Sequence, residues 1–436
     1  MFGYYTTLAI RGLRSQIVLT MLMIAAIGVG IGASMMTLTV YRGMSADPIP
    51  EKSSQLFTPQ IDSFGPRGAM GPKGDDGLQD RLAYKDVKAL LAAHAAFRQV
   101  ALYASRQPLI PSDLNERPFN VGVRATSGDF FPMFVVPFLY GRAWTAQDDD
   151  DHAPVVVLSR DLNERLFAGA NSVGKVVTLD GTGYRVVGVL DRWQPLPRFY
   201  DLDFNIFGNP EEVFLPLNVA IDHKMEFGNI NCQEPANGWD DFIRGECVWA
   251  HFWVELPTAA AVAQYRQFLT NYAAEQKRSG RFQWQARTQL RDVREWLAYH
   301  KVVSTETRIL VVVSFSFLFV CLLNSTGLML AKVVARAPDT SVRRALGASR
   351  RAIFAQCLIE TGLVGIVGGL LGLALTDLGL RLLRSLVSDD GRSLLHLDTV
   401  DVGLALILAV LATVAAGVYP TWRAARLQPA LQLKSL

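Results

Sequence analysis

The sequence predicts a membrane protein of four transmembrane α-helices in a 1+3 arrangement, with a large external α+β domain inserted between spans one and two. Three observations carry this. Half of the 436 residues are hydrophobic and only 19% are charged, against roughly 25% charged in an ordinary soluble chain. The hydrophobic excess is packed into four runs, each meeting the length of about 20 apolar residues needed to cross a ~30 Å hydrocarbon core. The long stretch between the first and second runs has ordinary globular composition. A net charge of +3 excludes nucleic-acid binding driven by bulk charge, and the apolar content excludes dominant disorder.

The elements follow in order. Residues 1–16 place Phe2, Tyr5, Leu8 and Leu13 mostly on one face, with Arg11 and Arg14 elsewhere. This reads as a cytoplasmic interfacial helix or simply as the basic flank of a first membrane helix. Residues 17–40 are the first span: 24 residues without a charge. That is far longer than the roughly 7–15-residue core of a cleaved leader, so a retained anchor is expected. Residues 41–307 form the external domain, long enough to bury its own core as two subdomains. Strand-like stretches include Pro154–Leu158 and Tyr184–Val189, and helix-like ones include Tyr84–Ala96 and Ala259–Gln276. Spans two, three and four are 309–331, 352–376 and 402–422. The basic loop 332–351, the short external loop 377–401 and the tail 423–436 connect and end them.

Orientation follows from the cations. Arg11 and Arg14 precede span one, Lys332, Arg336, Arg343, Arg344, Arg350 and Arg351 lie between spans two and three, and Arg423, Arg426 and Lys434 follow span four. Placing all three groups in the cytoplasm satisfies the positive-inside rule, with both termini inside.

Few residues suggest chemistry. There is no GxxxxGK[ST], HExxH or GxSxG, and the six histidines are scattered, so neither a nucleotide site nor a zinc site can be assembled from spacing. Asp148–Asp151 with His152 reads as a solvated acidic turn. Residues 65–77 carry glycine at every third place, but a triple helix needs three chains and many more triplets, so a flexible external loop is expected. Cys232 and Cys247 permit a disulfide in an oxidising compartment. A metal pair is the weaker reading, since no CxxC accompanies them. Cys321 and Cys357 fall in spans and act as small apolar side chains.

Span three carries Gly365, Gly368, Gly369 and Gly372, and span one carries Gly28 and Gly32. These small-xxx-small spacings let helices approach closely, either within the four-span bundle or between subunits. Glu360 is too costly to face lipid, so it must meet the interface, a partner helix or a polar cavity. A structural hydrogen bond to a neighbouring helix is preferred over a proton relay.

Three stretches resemble the MacB/FtsX-type ABC transporter permeases. They are Val342 to Gln356 (VRRALGASRRAIFAQ) followed by Glu360 and the glycine-rich span, the C-terminal Tyr419 to Pro429 (YPTWRAARLQP), and the external Gly141 to Thr145 (GRAWT) with Val173-Gly174-Lys175 and Tyr184–Val189. The resemblance implies that the loop after span two forms a coupling helix docking on an ATPase. It places Asp339, Val342, Arg343, Arg344, Ala345, Leu346 and Gly347 at the contact. It further implies a multi-pass protein of the bacterial inner membrane, ATP and Mg bound by cytoplasmic ABC ATPase subunits rather than by this chain, and a second permease subunit, identical or related. A periplasmic adaptor and an outer-membrane channel are further partners of the family. Expected substrates are macrolides, peptides, lipopeptides or lipoproteins, moved by mechanotransmission. The competing reading is a transmembrane signalling scaffold that regulates an extracytoplasmic hydrolase. No catalytic residue is assigned.

Overall fold

In the computed structural model the described residues are 13, 16–65, 77–111, 117–203, 206–338, 342, 346–386 and 399–426, with side chains to 422. They separate into two compact units, one formed by residues 46–302 and the other by the flanking parts of the chain. Most of the predicted interfacial helix at 1–16, most of the glycine-rich loop and most of the tail lie outside the described residues.

In chain order the elements are α1 (Ile17–Ser45), β1 (Leu56–Ile61), β2 (Leu82–Ala83), α2 (Tyr84–Ala93), β3 (Arg98–Ile110), β4 (Phe119–Thr126), α3 (Phe130–Met133) and β5 (Phe138–Gly141). Then come α4 (Ala146–Asp150), β6 (Val155–Leu158), α5 (Arg160–Phe167), β7 (Val176–Leu179), β8 (Thr182–Leu190), β9 (Val213–Pro216), α6 (Leu217–Asp222) and α7 (Trp239–Arg244). The chain continues with β10 (Val248–Glu255), α8 (Ala259–Arg278), β11 (Thr288–Asp292), α9 (Val293–Tyr299), α10 (Thr305–Ala335), α11 (Arg350–Leu386) and α12 (Thr399–Arg426).

Helices α1, α10, α11 and α12 are each long and apolar enough to cross a membrane. They overrun the expected spans. Helix α1 continues through residues 41–45, and α10 starts at Thr305 because Ser304 caps its first turn, accepting from the Thr307 N–H at 3.2 Å. Helix α11 also runs into residues 377–401, expected as the short external loop. Residues 377–386 continue α11, because Leu378, Leu380, Leu382 and Leu383 are good helix formers and Asp377 pairs with Arg381 at 2.7 Å, one turn on. The expected tail likewise opens as helix, since α12 runs to Arg426.

Residues 46–302 form one unit around an 11-stranded mixed sheet. Its main path is β11-β1-β10-β3-β4-β9-β6-β8-β5, with β4–β9 and β6–β8 parallel. Neighbouring residues of a strand serve opposite cores: Val156 and Leu158 join one, Val155 and Val157 the other. A sheet covered on both faces explains why β6 and β10 are buried throughout. The second core is strongly aromatic, with Phe130, Phe134, Phe199, Tyr200, Phe214, Trp253 and Trp296. Phe130 meets Phe134 and Tyr200 edge-on at centroid separations of 4.8 and 5.6 Å, a geometry that adds to plain area burial.

Candidate functional site

Two constellations of buried charge stand out, one in each unit. In the helical unit, Lys332 in the last turn of α10 places Nζ 2.5 Å from Glu360 Oε1 of α11. Arg336, the residue that ends α10, donates to both Glu360 oxygens at 3.3 Å. Lys332 also donates to Thr20 Oγ1 of α1 at 3.1 Å, so three helices meet at one polar point. At the other end of the bundle Arg42 of α1 pairs with Asp401 of α12, and Thr39 donates to the same carboxylate at 3.4 Å. Between these ends the helices are joined by hydroxyls: Thr376 to Gly32 O at 3.3 Å and Thr326 to Ala416 O at 3.2 Å.

The glycines of the spans pack within the chain. A Cβ on Gly28 would lie 2.8 Å from Leu371, one on Gly32 3.0 Å from Leu375, one on Gly368 2.8 Å from Ile27, and one on Gly372 2.7 Å from Ile31. Gly365 and Gly369 face α12, against Thr413 and, at 2.8 Å, Ala409. Of the two roles expected for these residues, packing within the four-span bundle is the one these contacts serve, against α1 and α12. Substituting Gly365→Val drives a side chain into Thr413 Oγ1 and is expected to cost about 1–3 kcal/mol by overpacking. Gly362→Val, which points into open space, serves as the neutral control. Thermal unfolding in detergent distinguishes them, and equal melting of both variants would refute the assignment.

Of the expected coupling residues, Asp339, Arg343, Arg344 and Ala345 lie outside the described residues. Val342 and Leu346 are 54% and 83% exposed. The Leu346 N–H donates to Val342 O at 3.0 Å, a helical turn, and Gly347 follows at φ 101°, a left-handed backbone suited to closing a helix. Two apolar side chains are thus held out on a loop rooted at Arg336 and Arg350.

In the sheet unit, Arg124 of β4 is fully buried on the aromatic face. It pairs with Glu211 and, at 2.7 Å, with Asp201. Arg198 reaches Glu211 at 2.8 Å, Tyr200 Oη donates to Glu211 at 3.2 Å, and Arg81 reaches Asp203 at 3.1 Å. His251 of β10 approaches Asp203 at 3.0 Å and Asp201 at 3.5 Å. Burial alone would lower the His251 pKa, but the Asp201 and Asp203 carboxylates overcome it and hold it at about 9. His300 goes the other way, to about 4, through burial and then the charge on His251. Burial would raise Asp201 and Glu211, yet the surrounding cations keep both below the ordinary carboxylate range.

Asp201, Asp203 and His251 are close enough together to suggest a metal site, contrary to the expectation from scattered histidines. The donor set does not fit one. Each carboxylate already carries an arginine, and a protonated His251 has no lone pair to give. The cluster is a structural ionic network. Elsewhere in the unit the acidic stretch keeps its solvated character, with no residue of α4 fully buried, while Asp148 and Asp149 also bond locally. They sit in α4 behind a capping box with Thr145, and Asp149 accepts from Trp144 Nε1 at 2.8 Å and the Gly128 N–H at 3.0 Å. Burial lifts the Asp149 pKa to about 6. Cys232 and Cys247 are joined by a disulfide, with Cα atoms 4.1 Å apart.

Comparison with known proteins places this architecture. Residues 20–272 match the family described as MacB-like periplasmic core domain, and residues 311–429 match the FtsX-like permease C-terminal family. The macrolide export ATP-binding/permease protein MacB of Shigella flexneri is 27% identical over 447 aligned residues, covering 98% of this chain and 60% of that protein. MacB of Shigella sonnei gives the same figures. The chain thus spans 60% of the length of these curated relatives. Among solved structures, the periplasmic region of MacB from Actinobacillus actinomycetemcomitans aligns with TM-score 0.35 and 15% identity, over 56% of this chain and 94% of that one. The extracellular domain of the noncanonic ABC-type transporter YknZ from Gram-positive bacteria aligns with TM-score 0.35 and 12% identity, over 53% and 99%. With four membrane-length helices and a MacB-like periplasmic α+β domain between the first two, the chain belongs to the MacB/FtsX-type family of ABC transporter permeases.

Proposed function

We propose that this chain is the membrane subunit of an ATP-driven machine that exports or extracts a substrate of the macrolide, peptide, lipopeptide or lipoprotein class. It lies in the inner membrane with both termini in the cytoplasm. A partner ATPase pair binds ATP and Mg, closes, and displaces the loop 337–349. The four-span bundle relays that displacement, and the periplasmic domain changes shape against its substrate. A second permease subunit completes the machine, and a periplasmic adaptor with an outer-membrane channel carries the product away.

The observation that carries this reading is the exposed pair Val342 and Leu346, apolar groups on a basic loop where solvent exposure has no folding benefit and a docking partner would cover them. The bundle supports mechanical relay over conduction. Among the described residues, its buried charged side chains lie near its two ends, and the middle is closed by small-residue seams. The test is co-purification with the ATPase. Leu346→Asp and Gly347→Val are expected to reduce association at least tenfold, the scale of losing one interface anchor. Undiminished association in both variants overturns the reading.

A further inference from the structure

We infer that Lys332, Arg336 and Glu360 form a clamp that makes the two roots of the coupling loop move as one body. This deepens the proposed function and rests on it. The loop leaves α10 immediately after Arg336 and enters α11 at Arg350, and Glu360 lies about three turns into that helix. Lys332 and Glu360 are 4% and 7% exposed, at 2.5 Å from one another, and Arg336 donates to both carboxylate oxygens at 3.3 Å. Lys332 extends the clamp to α1 through Thr20, whose hydroxyl donates to Leu13 O at 3.2 Å.

Between α10, α11 and α1 the remaining polar ties, such as Ser34 to Ser314 O and Thr376 to Gly32 O, are single neutral hydrogen bonds, weaker than bonds to a charged group. Glycine seams such as Gly28/Leu371 and Gly372/Ile31 are close but largely apolar and carry no charge-assisted bond. A one-turn slide moves a helix about 5.4 Å. That distance would break every bond to Glu360 and leave its charge bare in a low-dielectric interior, where it is expensive. A push on the loop is therefore delivered to α10, α11 and α1 together instead of being absorbed by slippage at the loop's base. Lys332, Arg336 and Glu360 are positioning residues: they hold the transmitting elements in register without touching nucleotide or substrate.

The test uses the full chain assembled with its ATPase in proteoliposomes, with Mg-ATP and orthovanadate as probes. A fluorophore on Phe97→Cys, at an exposed position of the periplasmic domain, reports the response. Two variants are compared with wild type: Glu360→Gln, and the double variant Lys332→Met with Glu360→Met. Replacing a buried ion pair by apolar residues of similar volume is commonly tolerated, and Arg336 at the helix end can turn toward water. The double variant therefore carries the test if Glu360→Gln folds poorly. Expected are co-purification with the ATPase, ATP hydrolysis within about twofold of wild type, and a nucleotide-dependent fluorescence change reduced roughly tenfold, as for loss of a coupling contact. A double variant that responds like wild type overturns the clamp and leaves the functional reading intact. A wild-type complex that hydrolyses ATP with no response at Phe97→Cys overturns the functional reading itself, and the clamp with it.

Discussion

Arg124→Leu is expected to destabilise the periplasmic domain by about 3–5 kcal/mol, the cost of removing one partner from a buried ion pair. Arg124 is completely buried, bonded to Glu211 and Asp201, and lies over the Tyr200 ring at 5.2 Å. Without it Glu211 keeps Arg198 at 2.8 Å, but Asp201 is left with His251 at 3.5 Å and Arg198 at 4.0 Å. A carboxylate so placed must either hold an uncompensated charge or take up a proton. Arg124→Lys should fall between wild type and leucine, because both carboxylates are held through one guanidinium nitrogen, Nη2, whose charge an ammonium keeps without the planar group that lies over Tyr200. Urea titration followed by tryptophan fluorescence reads the effect, since Trp253 lies in the same aromatic core. A loss below about 1 kcal/mol, typical of an exposed pair, would show that the network is not a stabilising unit.

Much of the membrane part was legible in the sequence because a span announces itself locally, as an uninterrupted apolar run. Its ends were less so. The extension of α11 to Leu386 depends on leucines mixed with Asp377, Arg381 and Arg384, which lower the hydropathy without stopping the helix. Glu360 was readable as a residue in need of a partner, but Lys332 and Arg336 had already been assigned to topology, so the pairing required the fold. The network around Arg124 was invisible for a stronger reason. Its members are drawn from residues 81 to 300 and meet only after β4 and β10 enter one sheet. A signal did exist: Arg124 is the lone charged group in Phe119–Thr126, and His251 sits in mid-strand among Trp249, Ala250, Phe252 and Trp253 of Val248–Glu255. A charge on the buried face of a doubly covered strand must have a counter-charge, and that rule predicts the network without identifying its partners.

The same network predicts a stability maximum near pH 6.5, with a limb on either side set by a different histidine. His251 titrates at about 9 in the folded chain against an ordinary 6.5, so its proton stabilises the fold. That contribution is complete below pH 6.5 and is lost as pH rises through 9. His300 titrates at about 4 against the same ordinary value, so its neutral form stabilises the fold. Its contribution is complete above pH 6.5 and is lost as pH falls through 4. Each limb amounts to on the order of 3 kcal/mol. Asp149, raised to about 6, partly opposes the acid limb, because its protonated form is favoured in the folded chain between its ordinary range and that value. The two histidines are not independent, since the charge on His251 adds to burial in depressing His300. His251→Gln should therefore flatten the alkaline limb and also soften the acid one, whereas His300→Gln should soften the acid limb alone. Melting temperatures of the full chain in detergent from pH 4 to 9.5 check this. The asymmetric pattern is what matters: a wild-type profile flat across that range, or two variants with the same profile, would be incompatible with paired histidines held in opposite charge states by one buried network.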